Sequence, residues 1–232
     1  MTRPTELAAV RAGGWALILA AIFFIAVFSY LAASFDYPDV LDRPAAEVLP
    51  RLIALGTTGR AVWSFYALIP LLLVPAGIGV ATALRGVAPG AARTGGAFAV
   101  ISAFSMMLGL LRWPSIHWEL GRAYTTASPT ERGSIDTLFA GLNSYLGNFI
   151  GEFVGELALN LFFLLTAYAI LHSVQRPRWL GIGGAVASVI GLVAMFRNVT
   201  PTVDLVADAN NIVLPLWLVI LGIALARERA SN

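Results

Sequence analysis

The chain of 232 residues contains no cysteine and no lysine. Without thiols there is no disulfide scaffold, no Cys-ligated zinc, no iron–sulfur cluster and no thiol catalysis. Without lysine there is no Schiff-base chemistry, and all fifteen cations are arginine. Charge of either sign is scarce, at 12% of residues against about 25% in a soluble domain. Apolar residues fill the space: 58% of the chain is hydrophobic and the mean hydropathy is +0.79. A single core of this size cannot hide that surplus, so the lipid bilayer is the first partner the composition implies. A net charge of +2, spread over loops, forms no basic stripe, and no nucleic-acid partner is expected.

Crossing the hydrocarbon as helix takes about 20 mainly apolar residues. Six stretches meet that requirement, roughly Gly14 to Ser34, Ala61 to Leu84, Gly95 to Trp113, Phe149 to His172, Trp179 to Phe196 and Asn211 to Ala226. The expected fold is therefore all-α, a six-helix polytopic bundle forming one transmembrane domain over residues 1–232. The first stretch is too long for a signal peptide and leads to Ser34-Phe35-Asp36 without a small-x-small cleavage site.

An even number of spans puts both termini on one side. That side collects Arg3, Arg11, Arg85, Arg93, Arg176, Arg178, Arg227 and Arg229 against Glu6 and Glu228. Short, acid-poor loops rich in arginine read as cytoplasmic, so the expected location is the cell membrane with both termini in the cytoplasm.

The two long connections then fall outside, and each carries a helix signal. In the first, Asp42 can cap a helix with Pro44 in its opening turn, an apolar face of Val48, Leu49, Leu52 and Leu55, and Gly56 as a stop. In the second, Ser128-Pro129-Thr130-Glu131 is a capping box, and Ile135, Leu138, Phe139, Leu142, Tyr145 and Leu146 recur at helical spacing into the fourth span. Two outer interfacial helices are expected, as shields or as a lid. A faint echo links the third and fifth spans: Gly95-Gly96-Ala97 leads to Arg112 and Pro114, Gly183-Gly184-Ala185 to Arg197 and Pro201.

The fourth span holds the residues most able to carry chemistry. Glu152, Glu156 and Asn160 are four apart and share a helix face. An isolated acid at a span centre costs about 2.5–3.5 kcal/mol, and stacked carboxylates raise each other's pKa. Protonation, a bound cation or an arginine must offset this. Arg60, Arg112 and Arg197 each close the outer end of a span, so an Arg–Glu cluster is the simplest answer, with a ligand or ion site as the functional alternative. Beside that face, Gly147, Gly151 and Gly155 form a small-xxx-small row for close helix contact. His117 and Glu119 at the outer mouth are candidate metal ligands. They form only an H-x-E pair, however, and a His beside Trp118 also reads as a surface anchor. No catalytic residue and no cofactor can be named.

The arrangement resembles the DUF4386 family of bacterial six-span membrane proteins. The residues that carry the resemblance are the N-terminal span, the long first outer loop, Leu110-Leu111-Arg112-Trp113-Pro114 closing the third span and Gln175-Arg176-Pro177-Arg178-Trp179-Leu180-Gly181 opening the fifth. It covers Gly14 to Arg227 and implies a fold rather than an activity. The reading that follows is a non-enzymatic multi-pass protein with an outward polar site for small-molecule or ion binding, sensing or transport, plausible as a homo-oligomer. The alternatives are a metal-dependent intramembrane hydrolase using Glu152, Glu156 and His117, or a structural subunit of a membrane complex.

Overall fold

The computed structural model describes residues 4–229, without the Asp42 side chain; Arg3 lies outside the described residues. It contains helices and no strand among those residues. Six helices are long and apolar enough to cross a membrane: Pro4–Phe35, Gly56–Leu84, Pro89–Thr126, Pro129–Leu171, Arg178–Asn198 and Pro201–Ala226. We refer to them as the first to sixth spans. The protein is a multi-pass membrane protein.

Consecutive spans are neighbours, and the sixth closes the ring against the first. Lipid offers no hydrophobic drive for helices to associate, so small residues that allow backbones to meet take over that task. A methyl added to Gly13 would lie 2.9 Å from the Gly79 Cα, which fixes the first span against the second. Gly14 lies in the same way against Gly222 and Ala226 of the sixth. Inside the ring, Leu17, Val80, Phe162, Phe163, Trp217 and Leu221 belong to one buried cluster.

The third and fourth spans are much longer than a bilayer crossing requires, at 38 and 43 residues. The second long connection is thus no loop. Both helices continue into it and meet at Ala127-Ser128, where the predicted capping box is present: the Ser128 hydroxyl accepts from the Glu131 N–H and the Glu131 carboxylate accepts from the Ser128 N–H. The first connection holds the helix Ala45–Ala54, starting two residues later than an Asp42 cap would give because Pro44, in extended conformation, is itself the N-cap. Gly56 does not end that helix in a loop; at φ +62° it turns the chain directly into the second span.

This short helix and the hairpin at Ala127-Ser128 form a cap over one end of the bundle. Val48, Leu49 and Leu52 are fully buried there with Leu31, Trp63, Trp113 and Phe139. Trp63 stacks on Trp113 with centroids 4.9 Å apart, and Phe35 meets both rings edge-on. The opposite end carries the termini. Glu228 joins them, accepting from Arg176 at 2.9 Å through its carboxylate and from Arg11 through its backbone carbonyl.

Candidate polar site beneath the cap

Two segments of wider winding shape the capped end. Trp113–His117 in the third span and Asn143–Val154 in the fourth are π-helical, a geometry frequent at functional sites. In the first, Pro114 has no N–H to give the preceding turn, and the His117 N–H reaches back five residues to the Arg112 carbonyl at 2.8 Å.

The fourth span lies between the third and the fifth and shows each a different face. Its glycine row meets the third span. Gly151 opposes Gly109, Gly155 opposes Met106, and Gly147 leaves the space taken by the Arg112 guanidinium. Its carboxylates meet the end of the fifth. Arg197 donates to Glu156 through two nitrogens, at 2.6 and 3.2 Å, and to Glu152 at 3.1 Å. Asn198 donates to Glu152 at 2.8 Å and to the Asn148 carbonyl at 3.2 Å. One guanidinium therefore bridges both carboxylates, and the neighbouring amide ties them to the π-helical backbone.

Arg112 stands apart from this bridge. It is 5% exposed, yet no carboxylate among the described residues reaches ion-pair distance. Instead it donates to the Gly109 carbonyl at 2.5 Å and to the Asn143 amide oxygen at 3.1 Å, with its guanidinium over the Trp113 ring. Arg112 and Arg197 bring two positive charges to the region of Glu152 and Glu156; Arg112 and Glu156 are buried, Arg197 and Glu152 partly exposed. Tyr37, partly buried in the cap, feels Glu152, Arg112 and Arg197; burial first and the Glu152 charge second push its phenol above the ordinary range.

Other residues singled out in the sequence lie elsewhere. Asn160 is buried, but its amide donates to the Glu156 backbone carbonyl and fills the space over Gly191 rather than touching a carboxylate. Arg60 is on the cap surface, bonded to the Pro114 carbonyl and paired with Glu119 at 3.6 Å. Glu119 also pairs with Arg122. His117 is fully buried between the Trp113 and Phe139 rings, with no partner at either ring nitrogen among the described residues. His117 and Glu119 thus have different neighbours, and no group of three His, Asp or Glu among the described residues is placed to hold a metal.

Above the charges, a cleft of about 390 Å³ opens between the first connection and the fourth span, lined by Arg43, Asp136, Phe139, Asn143, Ser144 and Asn148 among others. Asn143 and Asn148 are common to the cleft and the charge network. Asn143 is held on both sides, accepting from Arg112 and donating to the Leu41 carbonyl at 3.4 Å.

A family model described as "Domain of unknown function (DUF4386)" matches residues 12–222. The chain belongs to the DUF4386 family. No curated protein and no solved structure matches it. In this DUF4386 protein the matched region contains both π-helical segments, the cap and the charges of Arg112, Glu152, Glu156 and Arg197. Four participants were not singled out in the sequence: Tyr37, Asn143, Asn148 and Asn198. For Asn143 a signal existed, since it stands four residues before Gly147 and so extends the glycine row that faces Arg112. Asn198 could have been found as a second polar group beside Arg197 where the fifth span ends.

Proposed function

We propose that this DUF4386 protein lies in the cell membrane with both termini cytoplasmic and the cap outside, and that it binds a small polar molecule or ion in the cap cleft as a sensor or transporter. One observation carries the reading. Asn143 and Asn148 line the cleft and, at the same time, bond to Arg112 and Asn198. A solute that contacts Asn148 is two hydrogen bonds from Glu152, through Asn198, and one that contacts Asn143 is one hydrogen bond from Arg112. Buried polar networks of this kind are held in low dielectric, where a change of one partner is felt by the next. The topology follows from the arginines: of the eight expected inside, those in the described residues lie at the end that carries the termini, in short loops of the sort that stay in the cytoplasm.

Ligand-induced thermal stabilisation tests the proposal. A panel of small amines, carboxylates, sugars and monovalent cations is scored on the purified protein and on Ala140→Trp, which fills the cleft from an exposed position on its wall. A stabilising solute that loses its effect in Ala140→Trp supports the site. Equal stabilisation of both proteins, or none of either, overturns it.

A further inference from the structure

The cleft contains a carboxylate oxygen without a partner. Asp136 lines it, and its Oδ1 is buried with no hydrogen bond among the described residues. Such an atom carries the full cost of lost hydration unless something donates to it.

Three neighbours that could donate are engaged elsewhere, and the Ser144 hydroxyl and Asn148 amide on the same wall are neutral groups that bring no counter-charge. Arg43, the one cation on the cleft wall, turns to Asp36 and to Glu47, 3.9 Å away. Arg132, one turn earlier on the helix that carries Asp136, lies over the Tyr124 ring at 5.1 Å. The Asn143 amide is committed to Arg112 and Leu41. Beside Asp136, the Phe139 ring adds an aromatic wall of the type that accepts cations.

Building on the small-molecule reading above, we propose that the ligand enters this cleft through a cationic ammonium group, with Asp136 as its counter-ion and hydrogen-bond acceptor. A protonated amine supplies the donor that Oδ1 lacks and the charge that Asp136 lacks. A carboxylate or phosphate would supply neither.

The absence of native cysteine makes a direct test available. Ser144→Cys and Ala140→Cys each place a single thiol on the cleft wall, and the rate of alkylation by the neutral reagent N-ethylmaleimide reads its occupancy. Butylammonium should slow alkylation saturably, and butyrate should not. Asp136→Asn should weaken the protection by about tenfold, the loss expected when a charge-assisted hydrogen bond is removed. Fast alkylation with no protection by butylammonium, or equal protection in Asp136→Asn, overturns the ammonium assignment and leaves the cleft standing. If neither thiol reacts, the cleft is closed and the binding reading itself fails. Vesicles separate two sources of the same chemistry. Protection by phosphatidylethanolamine without added amine, but not by phosphatidylglycerol, marks a lipid headgroup; protection only on adding butylammonium marks a free amine.

Discussion

Arg197, at the end of the fifth span, grips Glu156 of the fourth with two guanidinium nitrogens, and the same side chain reaches Glu152 one turn away. Its position explains how two carboxylates can stack in an apolar bundle without repelling each other apart.

Removing that guanidinium leaves Glu156, with 10% of its side chain exposed, as an uncompensated buried charge. Arg197→Ala should lose about 3–5 kcal/mol of stability, and adding Glu156→Gln should recover much of it because Gln keeps the shape without the charge. Arg112→Ala should gain no such rescue from Glu156→Gln, since Arg112 bonds to Gly109 and Asn143 instead. Unfolding midpoints in detergent for the four variants decide the pairing. Rescue of Arg112→Ala and not of Arg197→Ala would reverse it.

Close backbone approach makes a second prediction. A methyl on Gly109 would fall 2.5 Å from the Gly151 Cα, so Gly109→Ala should overpack the third and fourth spans and cost about 1–3 kcal/mol. Gly133 and Gly141 have open space at the same position. There the alanine should be neutral or stabilising by about 0.5–1 kcal/mol through helix propensity. Thermal melts of the three variants provide the comparison.

Topology can be read with single thiols. Thr126→Cys at the exposed tip of the cap should react with an impermeant reagent applied to intact cells, and Val174→Cys should not. Val174 is the better inner reporter than its neighbour Ser173, because Val174 is fully exposed and Ser173 is buried. The reverse pattern would invert the orientation.

His117 is buried with both ring nitrogens unpartnered among the described residues. A buried polar group in that condition costs about 1–3 kcal/mol. His117→Leu should therefore raise the melting temperature. A clear loss of stability would show that the imidazole has a donor or acceptor, such as an ordered water.

Hydropathy alone placed the six crossings, because a bilayer demands the same apolar length wherever the helix packs. The Ser128 cap was equally local. The partner of the carboxylates was not, since Arg60, Arg112 and Arg197 all close spans and only tertiary packing chooses among them. A clue was nevertheless present. The glycine row and the carboxylates are one residue out of phase, roughly 100° around the helix, so they face different neighbours. Whichever span lies on the glycines cannot also supply the arginine for Glu156. The π-helical winding had no local signature over Asn143–Val154, which is why the cleft emerged only in three dimensions.

That winding has a mechanical corollary. Asp136 stands before it, Asn143 and Asn148 within it, and Glu156 just after it, on one uninterrupted helix from Pro129 to Leu171. If the segment rewound into ordinary α-geometry, each residue would advance about 100° instead of the smaller angle of the wider π-turn, and the cap end would rotate relative to Glu156 by the accumulated difference. The fourth span is built like a screw whose thread changes pitch between the cleft and the buried charges, so a twist applied at one is delivered as a rotation at the other.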